Sequence, residues 1–494
     1  MLFLAALPIG LCAALNAGET AKRPNFILLF ADDQRPDSVG AFGNPHIETP
    51  NLDRLTHQGF RFARNYCAGS YSGAVCVASR TMLMTGRHWM NVSDRKNWEG
   101  LPLLPRVLSD SGYETFITGK WHNGQRTLRR AFQSGKRVFM GGMSDHTKVP
   151  VSDLTDEGEL INKRMPEGFS SQLFADAAID FLDGRKKGDA PFFLYVAFTA
   201  PHDPRNPPEA YRKKYYESPP PLPPNFMPQH PFDNGFVSGV GRDESLAPWP
   251  RPKGMIQDQL SEYYGLITHL DEQVGRILQA LRNHPDANNT YLVYTADHGL
   301  GMGSHGLLGK QNIYEHSVQS PFIVIGPDVP EGKQSHALTY IHDVYATFCH
   351  LAGVELPAGV QSRNLASLWR GKKTSWRDSV FLPFQDKMRG ITDGRWKLHR
   401  YPRQNHTLLF DLQSDPHELN NLATQDEYQN EIDRLLGIMR GWQKRLGDTQ
   451  PLEVESPQTL EVDYSGFERK LDRWQPQWIR EKYFRGDNVR DYGK

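Results

Sequence analysis

Carboxylate and imidazole side chains follow three short apolar runs in the sequence. The runs are residues 25–30, 192–198 and 291–295, and the polar residues after them are Asp32 and Asp33, His202 and Asp203, and Asp297 and His298. Runs of this length, rich in aromatic and β-branched residues, predict strands buried on both faces of a sheet. Because the carboxyl ends of parallel strands meet at one edge, the three groups predict a single site.

The carboxylates in this set predict a metal site. Asp32, Asp33 and Asp297 offer three oxygen donors, which suits a hard divalent cation. His298 adds a nitrogen, which is a poor ligand for calcium, but zinc would need more nitrogen or sulfur donors than this set supplies. The residues therefore favour calcium or magnesium over zinc.

The elements that position these residues alternate between strands and helices. A fourth apolar run covers residues 322–325, and apolar residues recur at the helical period between 260 and 281. This alternation predicts an α/β fold with a large, mostly parallel sheet sandwiched by helices. Short extended runs after Gly371 predict a smaller C-terminal α+β subdomain built on a short antiparallel sheet. These runs are residues 379–382, 390–392, 396–398 and 407–410, and an amphipathic helix is predicted over 431–440.

The chain is predicted to have three parts. Residues 1–17 are apolar and end in small residues, as in a secretory signal peptide. Residues 18–370 are predicted to form the main α/β domain, which contains the predicted site, and residues 371–494 the C-terminal subdomain. Residues 201–252 contain 14 prolines, too many for a helix or a central strand, which predicts a long ordered loop beside the site.

Charge and hydropathy argue against two classes of protein. The 494 residues carry 57 basic and 57 acidic side chains, so the absence of net charge excludes nucleic-acid binding through overall positive charge. After residue 17 no apolar run approaches the roughly 20 residues that span a bilayer, so an integral membrane protein is not expected. With the signal peptide, this predicts an exported protein, periplasmic or secreted.

The four cysteines, Cys12, Cys67, Cys76 and Cys349, do not form a disulfide framework. Removal of the signal peptide leaves three, which allows one disulfide between Cys67 and Cys349. Cys76 is then left over, and a free thiol in an exported protein needs a chemical reason.

A set of motifs resembles those of the sulfatase family. Cys76-Val-Ala-Ser79-Arg80, followed by Thr85-Gly86-Arg87, is similar to the family's signature around its modified cysteine. The other matching motifs follow the family's order between residues 24 and 423, and they include Asp32-Asp33, Gly119-Lys120-Trp121-His122, Ala200-Pro201-His202, Asp297-His298-Gly299, Gly309-Lys310 and, in the C-terminal part, Phe410-Asp411-Leu412 with Asp415-Pro416.

The resemblance implies a sulfuric ester hydrolase. Its nucleophile is expected to be Cα-formylglycine, which a separate formylglycine-generating enzyme makes from Cys76. The resemblance implies one calcium ion, bound by Asp32, Asp33, Cys76, Asp297 and His298. Arg80, Lys120 and Lys310 are expected to supply positive charge for the sulfate. His122 and His202 are expected to transfer protons, with Lys310 as an alternative donor to the leaving alcohol.

An exported sulfatase encounters sulfated glycans, so a sulfated carbohydrate is the expected substrate. Aromatic and charged side chains next to the motifs are predicted to contact the sugar ring and its neighbouring anionic groups. These candidate substrate-binding residues are His88, Trp89, Asn123, Arg126, Asp203 and Arg205.

Two other functions are compatible with parts of this pattern. A phosphodiesterase or phosphonate monoester hydrolase of the same superfamily shares the nucleophile and the metal pairs, although Gly119-Lys120-Trp121-His122 followed by Asn123 favours a sulfatase. The other alternative is a non-catalytic relative that binds sulfated glycans. The candidate nucleophile, the metal-binding residues and the lysines are all present, which argues against a non-catalytic protein.

Overall fold

A ten-stranded sheet with helices on both faces forms the centre of the protein in the computed structural model. The structure describes residues 22–236, 241–372, 376–463 and 471–484. The predicted signal peptide, residues 1–17, and Cys12 lie outside the described residues. In the described part of the chain, no helix combines the length and the apolar character needed to cross a membrane.

Strands and helices alternate along much of the chain. The strands are β1 (Asn25–Ala31), β2 (Phe60–Phe62), β3 (Asn65–Tyr66), β4 (Glu114–Lys120), β5 (Ser134–Phe139), β6 (Val151–Leu154), β7 (Leu160–Arg164), β8 (Phe192–Ala197), β9 (Thr290–Ala296), β10 (Phe322–Ile325), β11 (Lys333–Ser335), β12 (Thr339–Tyr340), β13 (Val380–Phe384), β14 (Met388–Thr392), β15 (Trp396–Tyr401) and β16 (His406–Asp411). The helices are α1 (Pro50–Gln58), α2 (Val75–Thr85), α3 (Leu104–Asp110), α4 (Gln125–Ala131), α5 (Ser170–Asp183), α6 (Glu209–Glu217), α7 (Lys253–Asn283), α8 (Glu315–Val318), α9 (Asp343–Leu351), α10 (Ala366–Trp369), α11 (Gln429–Leu446) and α12 (Gln477–Phe484).

The large sheet is parallel at its centre and mixed at its edges. Its strand order is β11-β2-β10-β9-β1-β8-β4-β5-β6-β7. The five neighbours from β9 to β5 run parallel, whereas β10 and β6 are antiparallel to the strands beside them. The four apolar runs predicted as strands correspond to β1, β8, β9 and β10, which confirms the predicted α/β class.

Residues of β1 alternate between two cores. Phe26 and Phe30 join a cluster that includes residues of α2, α3 and α9, whereas Ile27 joins a cluster with residues of α5 and α7. All seven residues of β1 are buried, because helices cover both faces of the sheet. This burial explains why the strand reads as a continuous apolar run.

The C-terminal sheet is antiparallel, in the order β13-β14-β15-β16, as the short extended runs predict. Helix α11 covers one face, where Leu435 and Met439 pack against Phe381 and Leu398. The last described helix, α12, lies within the predicted subdomain 371–494 but packs elsewhere. Its Ile479 and Tyr483 are buried in a cluster with residues of α7.

The proline-rich segment, residues 201–252, contains helical structure, so the prediction that it is a loop throughout was wrong. Helix α6 lies inside it, and residues Asp243–Leu246 form a turn of 3-10 helix. Pro208 immediately precedes α6, where proline is tolerated, and no proline occurs between Glu209 and Glu217.

The disulfide that the cysteine count allowed between Cys67 and Cys349 is not formed. Both residues are buried free thiols, as is Cys76. Burial raises the pKa of Cys67 and of Cys349 to about 12, so both remain protonated at neutral pH.

A buried ion cluster connects the two sheets. Lys397 on β15 lies with its Nζ 2.6 Å from Glu315 at the start of α8 and 3.0 Å from Glu418. A Glu418 carboxylate oxygen also accepts a hydrogen bond from the Glu315 backbone N–H at 2.7 Å. Burial disfavours ionisation of Glu418, but the charge of Lys397 holds its pKa well below the usual range. Lys397 is fully buried, so its charge depends on these partners.

We expect Lys397→Met to reduce the free energy of unfolding by about 3 kcal/mol or more, because it leaves buried carboxylates unpaired. The midpoint of urea unfolding, followed by circular dichroism, measures this loss. The control is Arg434→Met, which removes a cation with 44% side-chain exposure from its pairs with Glu431 and Asp393. It should cost about 1 kcal/mol or less. Equal losses in the two variants would contradict a special role for the buried cluster.

Candidate active site

Four adjacent parallel strands carry the predicted catalytic and metal residues to one edge of the sheet. The four strands lie in the order β9-β1-β8-β4. Strand β9 leads into Asp297 and His298, and β1 leads into Asp32 and Asp33. Strand β8 leads towards His202, and β4 ends at Lys120, two residues before His122. Backbone hydrogen bonds continue between the chains just past the strand ends, from Asp32 N to Ala200 O at 3.1 Å and from Asp297 N to Ala31 O at 3.3 Å. The structure thus brings the three predicted groups together.

Helix α2 adds Cys76 and Arg80 to the same edge. Cys76 lies in the first turn of the helix, where unpaired N–H groups and the helix dipole favour negative charge. Arg80 follows one turn later on the same side of the helix. The helix is fixed to the strand ends because Ser79 Oγ donates a hydrogen bond to Asp297 O at 2.8 Å.

Close backbone contact explains the glycine before Lys120. Gly119 has φ +91°, and a Cβ atom there would lie 1.9 Å from the carbonyl oxygen of Ala197 on β8. Only glycine fits at this position. Two non-glycine residues of the site, Asp33 and His122, also have positive φ values, of 66° and 63°. Strained backbone of this kind is typical of functional sites.

The Cys76 side chain lies between two basic groups. Its Sγ is 3.1 Å from His122 Nδ1 and 3.7 Å from Lys120 Nζ. Burial disfavours the thiolate, but the charges of Lys120 and His122 outweigh burial and hold the pKa of Cys76 well below its usual value. The residue is 2% exposed, so these neighbours define its chemistry.

Asp32, Asp33, Asp297 and His298 form a compact, fully buried cluster. Ligand-type atoms of Asp33, Asp297 and His298 lie within 4.8 Å of one another, as do those of Asp32, Asp297 and Cys76. His298 Nε2 lies 3.3 Å from Asp33 Oδ1 and 3.6 Å from Asp297 Oδ1. Burial disfavours the imidazolium, but the charges of Asp297 and Asp33 raise the pKa of His298 to about 9.

The donor set of this cluster fits a divalent cation. Asp32 Oδ1 and His298 Nε2 are buried and have no hydrogen-bond partner among the described residues. His298 Nδ1 donates to the Gly299 carbonyl at 2.8 Å, so the lone pair of the neutral ring is on Nε2, which faces the carboxylates. Hard carboxylate oxygens dominate the set, as calcium and magnesium require.

Lys310 and His202 form the opposite side of the site. Lys310 Nζ is 2.8 Å from both carboxylate oxygens of Asp33 and 3.1 Å from His202 Nε2. His202 Nδ1 donates to the Asp203 carbonyl at 2.7 Å, so Nε2 accepts from the Lys310 ammonium when the ring is neutral. Burial disfavours the ammonium, but Asp33 and Asp243 raise the pKa of Lys310 well above its usual value.

The proline-rich segment positions Lys310 through residues that sequence reasoning missed. Glu244 accepts hydrogen bonds from the backbone N–H groups of Leu308 and Gly309, at 3.0 and 2.8 Å, immediately before Lys310. Glu244 is itself paired with buried Arg251 at 2.5 Å. No motif marks Glu244 in the sequence, because the backbone groups that it binds, those of Leu308 and Gly309, lie 64 and 65 residues away along the chain.

A pocket of about 380 Å³ opens onto these groups. Its wall includes the side chains that face the reaction centre together with further residues of the proline-rich segment. These residues are Cys76, His122, His202, Lys310, Arg242 and Asp243. Asp243 also accepts a hydrogen bond from Gln311 Nε2 at 2.8 Å, which connects the segment to the residue after Lys310.

His88 and Trp89, predicted to contact the substrate, instead belong to the protein core. They are 2% and 4% exposed. Trp89 Nε1 donates to the Ala68 carbonyl at 2.8 Å, and burial lowers the pKa of His88 to about 3. Both residues follow the Cys76 helix, α2, which ends at Gly86 in a left-handed conformation. Beyond that turn, the side chains of His88 and Trp89 pack into the core.

The other predicted substrate contacts are not among the residues that line the pocket. Asn123 is buried, Arg126 is exposed and pairs with Glu99 at 3.0 Å, and Arg205 is buried with its guanidinium 2.6 Å from Gln259. Asp203 is buried and pairs with Arg242, which does line the pocket.

Comparisons with known proteins agree with this geometry. The family model described as Sulfatase matches residues 24–354, and the model described as N-sulphoglucosamine sulphohydrolase, C-terminal, matches residues 303–444. An arylsulfatase of Clostridium perfringens is 28% identical over 84% of this chain and 94% of its own length. An N-acetylglucosamine-6-O-sulfatase of Bacteroides thetaiotaomicron is 26% identical over 92% of both chains.

A solved structure described as a complex with its substrate D-glucosamine-2-N,6-O-disulfate shares the fold. It has a TM-score of 0.75 and 24% identity and covers 88% of this chain and 100% of its own. The residues that the Sulfatase model matches, 24–354, include Cys76 and every residue of the buried cluster. The chain belongs to the sulfatase family and is a sulfuric ester hydrolase.

Proposed function

We propose that this sulfatase acts on a sulfated carbohydrate through a nucleophile formed from Cys76 and one divalent cation. The observation that carries the proposal is the placement of Cys76. It lies at the positive end of α2, 3.1 Å from His122 Nδ1, on the wall of a pocket that also holds Lys310 and His202. A nucleophile, proton-transferring groups and cations therefore face the same space.

Conversion of Cys76 to Cα-formylglycine supplies the chemistry that a thiol lacks. The hydrated aldehyde provides one hydroxyl as the nucleophile and a second whose deprotonation releases sulfate. An unmodified thiol would form a sulfated adduct that has no hydroxyl group to deprotonate, so sulfate could not be released and the thiol restored in this way. Formation of Cα-formylglycine requires a formylglycine-generating enzyme as a partner during maturation.

The chain's own residues move protons on the two sides of the pocket. His122 Nδ1, at hydrogen-bond distance from position 76, is placed to accept a proton from that residue. His202 Nε2 and Lys310 Nζ, 3.1 Å apart, lie on the side from which the alcohol departs and are the two candidate donors to its oxygen. Arg80 and Lys120 hold positive charge beside the sulfate.

Asp32, Asp33, Asp297 and His298 would hold the cation together with the residue at position 76. When bound, the cation supplies positive charge that offsets the negative charge of the sulfate and of its leaving oxygen. Calcium is proposed because carboxylates dominate the donors, with magnesium as the alternative. Two buried atoms that have no hydrogen-bond partner among the described residues, Asp32 Oδ1 and His298 Nε2, support this assignment.

A carbohydrate substrate is supported by the relatives that act on sulfated amino sugars. We therefore propose 6-O-sulfated N-acetylhexosamines as the first substrates to assay. An aryl phosphodiester should be turned over more slowly than an aryl sulfate, and the reverse order would favour a phosphodiesterase. We also propose export on the basis of residues 1–17, which the N-terminal mass of the mature protein can test.

Conversion at position 76 can be read by mass spectrometry. Trypsin should release residues 65–80, which contain both Cys67 and Cys76. In protein made with a formylglycine-generating enzyme, fragment ions should locate the aldehyde at position 76 and an unchanged thiol at Cys67. Cys76→Ala should lose about 10⁴-fold or more in kcat while keeping the fold, whereas Cys67→Ala should keep its aldehyde. An unmodified Cys76 in fully active protein would refute the proposed nucleophile.

Metal content should depend on the buried carboxylates. Elemental analysis of active enzyme should give one divalent ion per chain, calcium by preference. Asp32→Ala, Asp33→Ala and Asp297→Ala should abolish both activity and metal content, because each removes a donor from a site that needs all three charges. The control is Asp180→Asn, an exposed aspartate on α5, which should change neither. Active enzyme without metal, or with tightly bound zinc, would contradict the assignment.

Two substrates distinguish the proton donor to the leaving alcohol. If His202 protonates the leaving oxygen, His202→Ala should slow a natural sugar sulfate by about 10²- to 10⁴-fold. An aryl sulfate should suffer far less, because its leaving group needs little protonation. His57→Ala, an exposed histidine on α1, is the control and should affect neither substrate.

Equal losses on both substrates would assign His202 to sulfate binding and leave Lys310 as the donor. The same pair of assays on Lys310→Ala then decides its role.

A further inference from the structure

Residues 471–484 return to the catalytic domain after the family-matched part of the chain has ended. The two family models together match residues 24–444, so this segment lies beyond both. It follows the C-terminal sheet and α11 in sequence, but it packs against α7 and the proline-rich segment. We call residues 471–484 the terminal segment.

One end of the terminal segment is anchored by apolar burial. Ile479 and Tyr483 on α12 are 2% and 3% exposed, in a cluster that contains Leu260 and Tyr263 of α7. Lys482 adds an ion pair to Asp258 at 2.8 Å. These contacts fix α12 on the surface of the catalytic domain.

The other end is anchored to the wall of the active-site pocket. Asp472 pairs with Arg242 at 2.6 Å, and Gln475 Nε2 donates to Asp203 at 2.6 Å. Arg242 also pairs with Asp203 at 2.5 Å and with Asp243 at 3.0 Å. Arg242 thus connects the segment to His202, which precedes Asp203, and to Lys310, whose Nζ lies 3.8 Å from Asp243.

The residues beside these two polar anchors are exposed. Trp474 is 51% exposed and Leu471 is 56% exposed, an unusual density of large apolar side chains on a short surface stretch. The Arg473 guanidinium lies 4.7 Å from the Trp474 ring centroid. Trp474 is next to Gln475 in the chain, so the Cα atoms of the two residues are about 3.8 Å apart. Trp474 is therefore held close to the hydrogen bond between Gln475 and Asp203.

We propose that residues 471–475 form part of the subsite for the sugar that carries the sulfate, with Trp474 contacting the ring. The inference rests on the proposed function, since it presumes a carbohydrate at the pocket mouth. Cys76 and Arg242 line the same pocket, so a sugar whose sulfate contacts position 76 lies beside the wall that contains Arg242. An indole face suits the apolar face of a pyranose, and Arg473 suits a neighbouring sulfate or carboxylate.

The proposal separates sugar binding from sulfate chemistry. Trp474→Ala should raise KM about 10-fold for a disaccharide whose terminal N-acetylglucosamine carries a 6-O-sulfate, with kcat little changed. It should alter kcat/KM for 4-nitrophenyl sulfate by less than about 2-fold, because an aryl sulfate has no sugar ring to contact. The control is Met165→Ala, which removes a side chain of similar exposure, 59%, just after β7.

A binding measurement keeps this test independent of turnover. In the Cys76→Ala background, calorimetry should give a Kd for the same disaccharide that Trp474→Ala weakens about 10-fold. If the wild-type protein hydrolyses no sulfate ester, the proposed function fails, and the calorimetry still decides the subsite. Absence of binding, or binding that Trp474→Ala leaves unchanged, overturns the subsite.

Two further results would assign the segment another role. Equal losses on the disaccharide and on 4-nitrophenyl sulfate would make Trp474 a structural residue and overturn the proposal. A wild-type dimer in light scattering that Trp474→Ala converts to a monomer, with unchanged KM for the disaccharide, would make the exposed apolar patch a contact between copies of the chain and would also overturn it.

Discussion

Asp32, Asp33 and Asp297 place three carboxylates in a buried cluster at the edge of the sheet, and their mutual repulsion must be balanced. At an effective dielectric of about 20, two like charges about 4 Å apart repel by about 4 kcal/mol. Arg80, Lys120 and Lys310 converge on these carboxylates from three other elements. The site can therefore form only when α2, the end of β4 and the Lys310 loop are all in place.

Two of these cations also contact groups on the pocket wall. Lys120 contacts both Asp32 and Cys76, and Lys310 contacts both Asp33 and His202. Each ammonium therefore joins a carboxylate of the cluster to a group on the pocket wall. A protein with no net charge can in this way concentrate positive charge where an anionic ester must bind, without a basic surface elsewhere. The consequence is a site whose residues depend on one another for their charge states.

The sequence predicts those parts of the molecule that local chemistry determines. The central strands are apolar because both their faces are buried, and the ligand-type residues after them are expected to meet because parallel strands end at one edge. Contacts between distant parts of the chain were not predictable. Glu244 supports the backbone before Lys310 without any motif. The prediction that His88 and Trp89 contact the substrate rested on their position after the Cys76 helix, but the direction of the chain after a helix end depends on packing, and both side chains are buried.

If residues 471–475 contact the sugar as proposed, chemistry and recognition are carried by different parts of the fold. The parallel strand ends and α2 hold the sulfate-processing groups within a buried frame. The proline-rich segment contributes Arg242 and Asp243 to the pocket wall, and the terminal segment reaches that wall through Asp472. Loops and chain ends accept substitution more readily than a buried sheet does. Under the proposed function, a change in these peripheral segments can alter which sugar binds without altering the charge network beneath them.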